Sequence, residues 1–470
     1  MLTFKCFLLF FCWVSKSFGA SVLTLSEVID AAQLNYPLIL LAEAEARKAQ
    51  GELQSAYGGF DPVMKAAHSK SRIGYYSNNY MDFSVEQPTG LWGTRLFGGW
   101  RKGDGNFPIY EAKMATFTDG EFRAGLEVPL LKGGPIDERR MTIMTSEQGF
   151  KGVQANVSSQ RLEVVRQASC KYWDWVFTGQ KIIIMKELLE IAVLRSDAIQ
   201  KKVWHGDTPE FDQTDNERSV LQRQSNVIAA ERAFQKASFE LSLYYRNSAG
   251  EPRIPSIDFL PRVFSSSELS QLIEKAEKSN NFLSNHPEVR KIAFQLQQVD
   301  TQARFAQNQL LPRFDFHIGI YSDFGVNAGN SYLPPTQYPS ELRMGLVLEF
   351  PLFFRGARGQ VKASLAAIDR VLASQQFILN RLEMQLKDSV LAMKAAYSRL
   401  LLVKDEVKLS KKLEAAERIR AEHGDSSILI VNLREQTTRD AMVKEIEAFA
   451  DFHKAKADYE AAQGLSHIDR

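Results

Sequence analysis

The stretch that decides the fold is "LRMGLVLEFPLFFRGARG" at residues 342–359. Its first half alternates between two kinds of side chain, as a β-strand does when successive residues point to opposite faces of a sheet. One face has Leu342, Met344, Leu346, Leu348 and Phe350, and the other has Arg343, Gly345 and Glu349. After Pro351 the alternation stops and a long pattern with helical spacing begins. The sequence therefore predicts a strand with one apolar and one polar face that leads directly into a helix.

The same transition occurs once more, in "FRAGLEVPLLKGG" at 122–134. Two further pairs of segments come in the same order in both halves of the chain. They are "NYPLI" at 35–39 with "NHPEV" at 285–289, and "HGD" at 205–207 with "HGD" at 423–425. One chance match would mean little, but an ordered series indicates a duplicated unit.

We therefore expect two structural repeats, residues 21–245 and 265–465, joined by a Pro-rich linker at 246–264. Each repeat is predicted to contain a short helix, a medium helix, a β-hairpin, a very long helix and a second medium helix. The predicted hairpins cover about 63–129 and about 312–351, and the predicted long helices cover about 132–204 and about 355–423.

The length of the predicted long helices is itself informative. From residue 360 to residue 423, no Pro or Gly interrupts a stripe of apolar residues with coiled-coil spacing. At a rise of 1.5 Å per residue, each long helix would span roughly 100–110 Å. A globular domain has no use for a helix of that length, whereas a fibre or a tunnel does.

The compartment follows from the first residues and from the composition. Residues 1–20 have Lys5, a short apolar run and then small residues, which is typical of a secretory signal peptide. No later stretch has 18 consecutive apolar residues, so we expect no membrane-spanning helix after the signal. Cys170 is the only cysteine outside it, which excludes an intramolecular disulfide. The balance of 58 Lys and Arg against 56 Asp and Glu gives no reason to expect a nucleic-acid partner.

The alternating strands fit two kinds of sheet. A transmembrane barrel has lipid outside and water inside, and a soluble antiparallel sheet can also have one apolar face. The export signal and the long helices favour the barrel. Two hairpins give four strands, too few to close a barrel, so three chains would give twelve. The first hairpin is longer than a pair of strands needs, and its excess is an extracellular loop, a plug over the mouth or extra strand.

These features together resemble the TolC family of outer-membrane efflux proteins. The resemblance rests on "NYP" and "NHP" opening helices, on "LLPRF" entering a strand, on the two strand-to-helix transitions, and on "G-x-x-S" at a helical tip. It covers residues 22–465. One departure is "SSILIVNLREQTTRD" at 426–440, where Ile430 and Leu433 lie where family members have an inward-facing Asp ring.

The resemblance implies a mainly α fold with a β-barrel part. Its duplicated long-helix and hairpin repeats would form a trimeric, 12-stranded barrel in the outer membrane of a Gram-negative bacterium, continued by an α-helical barrel through the periplasm. It implies a passive exit duct for efflux or type I secretion, in contact with outer-membrane lipid. The implied partners are a periplasmic membrane-fusion adaptor and an inner-membrane pump of the RND or ABC type. A periplasmic coiled-coil scaffold without a pore is the alternative.

The two His-Gly-Asp triplets are the only duplicated polar motif. No nucleophile elbow, phosphate loop or zinc-protease motif is present in the sequence, so we expect no catalytic, cofactor or metal site. One interpretation is that Gly206 and Gly424 end their helices, and that Asp207, Asp425 or Ser427 then caps the next helix. The other is that six tips of a trimer form a ring that titrates or binds a cation.

Charged residues surround both triplets, and they are either solvated faces of the helices or part of a gate or an adaptor-docking surface. Arg418 also flanks the second triplet. The candidate residues of this tip are His205, Gly206, Asp207, Glu210, Asp212, Asp215, Arg420, His423, Gly424, Asp425, Ser427 and Arg434.

Overall fold

The computed structural model describes residues 22–206, 209–261, 285–327 and 340–464. The predicted signal peptide at 1–20 and Asp207 lie outside the described residues. None of the helices described is both long and apolar enough to cross a membrane.

The chain divides into two compact units. The first, which we name the helical unit, comprises Met1–Leu40, Gln160–Phe282 and Glu383–Arg470. The second, the sheet unit, comprises Leu41–Ser159 and Leu283–Leu382. Each unit takes residues from both halves of the sequence, so a compact unit is not the same as a predicted repeat.

In both halves of the described chain a medium helix is followed by strands, a long helix and another medium helix. The short helix predicted at the start of the second repeat lies outside the described residues. The helices are α1 (Leu25–Asn35), α2 (Pro37–Tyr57), α3 (Glu138–Trp204), α4 (Glu210–Ser242), α5 (Pro287–Asn308), α6 (Arg355–Glu422) and α7 (Ile428–Ala462). The strands are β1 (Val63–Ser71), β2 (Asn78–Pro88), β3 (Arg95–Gly105), β4 (Gly120–Pro129), β5 (Arg313–Phe324) and β6 (Ser340–Glu349). The two long helices, α3 and α6, have 67 and 68 residues.

The six strands form one antiparallel sheet in the order β1 to β6. The single hairpin predicted at about 63–129 is therefore wrong, because this region has four strands. Of the three alternatives for its excess length, extra strand is the one that the structure confirms. The sequence "PTGLWGT" at 88–94 makes an additional reversal between β2 and β3, where Gly93 has a φ of 66° that favours glycine. The count of four strands per chain, on which the twelve-stranded barrel rested, does not hold.

The register of the sheet keeps most of its large apolar residues on one face, with Phe97 of β3 as an exception on the other. Across neighbouring strands, Phe83 lies opposite Trp100, and Trp100 opposite Phe122. Nearer the helices, Leu126 lies opposite Ile318, and Ile318 opposite Met344. Because the period of a strand is two, the intervening residues all share the other face. The predicted two-faced pattern is thus present and extends over six strands.

The core of the helical unit forms around α3. Trp175 is fully buried and Tyr172 nearly so, and they pack with Leu241 of α4 and Val28 of α1. Leu260, from the linker predicted at 246–264, belongs to the same core. The motif "YWDW" at 172–175 is therefore inter-helix packing, and aromatic rings supply most of the buried area per residue.

A histidine packs among aromatic rings in a second part of the helical unit. The ring of His453, on α7, stacks on Trp173 of α3 with the ring centroids 4.0 Å apart. Phe449 and Phe452 contact the same imidazole. Burial among these rings, together with the charge of Lys456, lowers the pKa of His453 to about 3. The imidazole is therefore neutral in the folded protein.

We predict that His453 makes the helical unit sensitive to acid. Below pH 6.5 the His453 imidazole binds a proton in the unfolded chain but stays neutral in the folded protein. The free energy of unfolding therefore falls as the pH decreases from 6.5 towards 3. Between pH 6.5 and pH 5 the loss is about 2 kcal/mol. In His453→Gln this loss should disappear, as measured by the thermal midpoint of the helical circular dichroism signal at pH 7.5 and pH 5.

The control is His423→Gln, at an exposed histidine, which should keep the wild-type dependence of the thermal midpoint on pH. An unchanged pH dependence in His453→Gln would contradict the assignment.

Candidate functional site

The two His-Gly-Asp tips end α3 and α6 in the same way. Gly206 and Gly424 have φ angles of 78° and 85°, a left-handed conformation that glycine adopts without steric cost. The amide of Gly206 donates to the carbonyl of Val203 at 3.0 Å. The amide of Gly424 donates to the carbonyl of Ala421 at 3.2 Å. The predicted helix-ending role of both glycines is confirmed.

The next helices begin without the predicted side-chain caps. Pro209 occupies the N-cap position of α4, and Ser427 that of α7, and neither side chain accepts a capping hydrogen bond. Asp425 precedes the N-cap, and its amide donates to the carbonyl of Arg420 at 2.9 Å. Of the candidate capping residues, Asp207 lies outside the described residues. Capping by Asp425 or Ser427 is therefore wrong.

Several charged candidates of the tips form ion pairs within their own helix. Asp215 pairs with Arg218 at 3.1 Å, and Arg420 pairs with Glu417 at 3.6 Å. His205, Glu210 and His423 are exposed, whereas Asp212 and Arg434 are partly buried. Exposed pairs of this kind each contribute about 0–1 kcal/mol.

Apolar side chains are exposed beside these charges. Trp204 and Phe211 flank the first tip, and Leu429, Ile430 and Leu433 follow the second. All five lie within ten residues of a tip glycine. A group of large exposed apolar residues among charged ones is typical of a surface that contacts another protein.

A buried ion cluster lies further into the helical unit. Glu435 of α7 is 0% exposed and accepts hydrogen bonds from Arg195 of α3 and, at 3.0 Å, from Arg418 of α6. Arg223 of α4, which is 4% exposed, approaches the other carboxylate oxygen to 3.6 Å. One carboxylate of α7 thus joins an arginine from each of three other helices, α3, α4 and α6.

The surroundings of Arg223 explain why the cluster requires Glu435. Burial lowers the pKa of Arg223, and the nearby Glu435 carboxylate opposes that effect. Its guanidinium also donates to the carbonyl of Leu188 at 2.9 Å. Sequence reasoning named Arg418 but missed Glu435, because a glutamate inside a charged helix gives no local signal of burial.

The polar face of the sheet is a second charged surface, in the sheet unit. Its ion pairs include Lys65 with Glu86 at 2.6 Å and Arg101 with Glu121 at 2.9 Å, which join neighbouring strands. Arg123 of β4 pairs with Asp82 of β2 at 2.6 Å across the intervening strand β3. Opposite charges directly across a ladder stabilise the pairing of strands. The alternating pattern predicted a polar face, but only the register shows that its charges meet in pairs.

One group on this face could in principle hold a cation. Glu127, Asp315 and His317 each offer a ligand atom, and these atoms lie within 4.8 Å of one another. Arg95 pairs with Glu127, and Arg313 pairs with both carboxylates. Two guanidinium groups therefore already neutralise the carboxylates, and the donor set fits an ion-pair network better than a metal site.

Comparison with known proteins identifies the family. Residues 279–464 match the profile of the family described as outer membrane efflux protein. The second half of the chain therefore has the domain of the outer-membrane efflux protein family. No curated protein matches the sequence closely enough to count as a relative.

Solved structures of low sequence identity share the fold. The outer-membrane protein VceC of Vibrio cholerae has a TM-score of 0.66 at 13% identity, with 94% of this chain and 96% of that chain covered. The CmeC channel of Campylobacter jejuni has a TM-score of 0.63 at 15% identity, with 94% and 85% covered. The open state of the MtrE channel of Neisseria gonorrhoeae has a TM-score of 0.64 at 12% identity, with 94% and 89% covered.

Membership of the efflux protein family bears on the site in two ways. The family resides in the outer membrane, and so does this protein. Its members are channel proteins and not enzymes. The predicted family and location are thereby confirmed.

We predict that the carboxylate of Glu435 holds the helical unit together. Glu435→Gln removes the negative charge that Arg195, Arg223 and Arg418 share, although Arg418 keeps its second partner, Glu414, at 2.8 Å. Breaking a buried pair costs about 3–5 kcal/mol. The thermal midpoint of the helical signal should therefore fall. The matched control is Glu187→Gln, which removes the 52% exposed partner of Arg439 and should cost about 0–1 kcal/mol. Equal losses in the two variants would show that the cluster has no special importance.

Proposed function

We propose that this efflux protein is a homotrimeric exit duct of a tripartite efflux or type I secretion system. The observation that carries the proposal is the single six-stranded sheet with an apolar face and a face of paired charges. Such a sheet suits a wall with lipid on one side and water on the other. The duct would be passive, because the charged face is paired and offers no energy-coupling chemistry.

The edges of the sheet support assembly from several copies. In the described chain β1 pairs only with β2, β6 pairs only with β5, and all the residues of both edge strands are exposed. Unpaired backbone groups of an edge strand cannot remain in a bilayer, so each edge needs another strand. We infer that β1 of one copy pairs with β6 of the next.

Closure by three copies changes the size of the barrel. Three sheets of six strands give eighteen strands instead of twelve. Barrel diameter rises roughly linearly with strand number, and barrels of about 16–18 strands enclose an aqueous channel. The barrel would continue into a periplasmic helical barrel built from the long helices.

A rod-like periplasmic scaffold without a pore is the competing function. It would need the long helices but no sheet with two different faces. The apolar face is exposed in the single chain over β4, β5 and β6, at residues that include Phe122, Ile320, Leu342 and Leu346. A water-facing scaffold would pay a free-energy cost for that surface, so the sheet favours the duct.

We predict cross-links between the edge strands of different copies. A cysteine at Ala67 of β1, combined with one at Gly345 or Val347 of β6, places both thiols on the polar face. Oxidation should give a species of three chains on denaturing gels, since the pairs close a ring. In the control, the first cysteine is placed at Ser84 of β2 instead of at Ala67. Ser84 lies one strand further from the edge, so this cysteine should not cross-link between copies.

The outcome decides between the two functions. If the protein is a scaffold without a pore, neither the cysteine pair at Ala67 and Gly345 nor the pair at Ala67 and Val347 should link different copies. A linked species that stops at two chains would contradict the trimer but not the edge-to-edge pairing.

We propose that the tips dock the periplasmic membrane-fusion adaptor, which in turn contacts an inner-membrane pump of the RND or ABC type. The surface comprises the exposed apolar residues Trp204, Phe211, Leu429 and Leu433 together with the charged candidates beside them. The ion pairs of Asp215 and Arg420 lie within single helices, so among these residues a gate held closed by pairing between helices would have to use Arg418, which pairs with Glu435 of α7.

We predict that a photo-reactive amino acid at Trp204 or Leu433 forms an adduct with a periplasmic adaptor in living cells. Both positions are exposed, so the replacement should not disturb the fold. The control is Leu391 of α6, which is also exposed but distant in sequence from either tip. Mass spectrometry of the adduct identifies the partner. Adducts of equal yield at Leu391, or adducts only with further copies of this chain, would contradict docking at the tips.

A further inference from the structure

The connection between β3 and β4, residues 106–119, is folded onto the polar face of the sheet. Gly103 lies on that face, and a Cβ atom added there would meet the carbonyl oxygen of Met114 at 1.8 Å. It would also lie 3.3 Å from the Cα atom of Ala115. The backbone of the connection therefore rests directly on the polar face, at a position that only glycine permits. We name residues 106–119 the inner segment.

Hydrogen bonds fasten the inner segment to β3. The amide of Thr116 donates to the carbonyl of Gly103 at 3.0 Å, and the amide of Gly103 donates to the Thr116 hydroxyl at 3.1 Å. At the other side, the amide of Phe117 donates to the Asp323 carboxylate of β5 at 3.2 Å. The amide of Asp119 donates to the carbonyl of Phe324 at 3.0 Å.

Burial shows that this contact is close. Phe107, Ala115, Thr116 and Phe117 are all buried, although the segment connects two strands. Most connections of this length lie on the surface. Beneath the segment, the Arg101–Glu121 ion pair is largely shielded from solvent, in contrast to the Lys65–Glu86 pair of the same face.

The inner segment lies at the end of the sheet that is far from the helices. The chain enters β1 and β5 from helical segments and leaves β4 and β6 towards α3 and α6, all at one end. The β3–β4 connection is at the opposite end. In the duct proposed above, the polar face lines the lumen and this end is the outer mouth.

We propose that the inner segments of the copies form a size-limiting constriction at the outer mouth of the duct. This inference rests on the proposed function, because it requires the polar face to line a lumen. The additional pair of strands widens the wall, and the inner segment narrows the opening that the wall encloses. The largest solute that leaves the duct is then set by residues 106–119 and not by the diameter of the barrel.

The test measures access from outside the cell, so that the state of the periplasmic end has no influence. The reporter is Gly345→Cys on the polar face of β6, where an added Cβ meets no atom within 4 Å. Its partner in the ladder, His317, lies closer to the helices than Asp323, so the reporter lies below the inner segment. Intact cells are treated with maleimide-polyethylene glycol reagents of increasing size. Cys170 gives little background, since burial raises the pKa of its thiol to about 11.

Two variants remove the constriction in different ways. In the first, an Asn-Gly turn replaces residues 104–118 and joins β3 to β4 as a tight hairpin. In the second, Gly103→Val forces the inner segment off the polar face. The matched control is Gly98→Val, on the apolar face of the same strand, where the nearest atom to an added Cβ is 4.0 Å away.

In the wild-type background we expect small reagents to label the reporter and large ones to be excluded. The shortened variant and Gly103→Val should shift this cut-off to larger reagents, and Gly98→Val should keep it. An unchanged cut-off in the shortened variant would overturn the constriction, whether or not Gly103→Val assembles. Failure of even the smallest reagent to label the reporter in every variant would instead overturn the lumen, and with it the proposed duct.

Discussion

The structure depends on the register of one antiparallel sheet. With a side-chain period of two, a shift of one residue in any strand would move its charged residues to the apolar face. Arg101 opposite Glu121 and Arg123 near Asp82 make such a shift costly, because each charge would lose its partner and enter an apolar surface. Cross-strand ion pairs and apolar contacts therefore select the same register. Both faces of the wall result from that one choice.

Charge has a different role in the helical unit. Glu435 is fully buried among arginines from three other helices, and none of these groups could remain buried alone. Such a cluster adds little net free energy relative to apolar packing, but it penalises any arrangement in which one helix is misplaced. The aromatic core around Trp175 supplies the burial, and the cluster supplies the alignment of α3, α4, α6 and α7.

Glycine decides where the chain can turn or approach itself. Gly206 and Gly424 end the two long helices in the left-handed conformation and leave the tips exposed. Gly103 has a different use, since its missing side chain makes room for the backbone at Met114. Two of these three positions lie in a repeated sequence motif. The third is visible only when the folded chain is examined, because nothing near Gly103 in the sequence indicates what will lie above it.

The sequence by itself determined the elements with strong local periodicity. The alternation at 342–350 predicted a two-faced strand, and the uninterrupted stripe from 360 to 423 predicted a helix that the structure has as α6. The tip glycines were also predictable, because a helix end is a local event. The extra strands at 63–129 were not, since glycine-rich and aromatic residues there are compatible with a loop, a plug or a strand until a neighbour is available for pairing. Ser427 does occupy the N-cap position with an extended backbone, but the capping hydrogen bond expected from its side chain is not made. The tertiary structure alone decided the burial of Glu435 and the position of residues 106–119, because both depend on contacts between segments far apart in the chain.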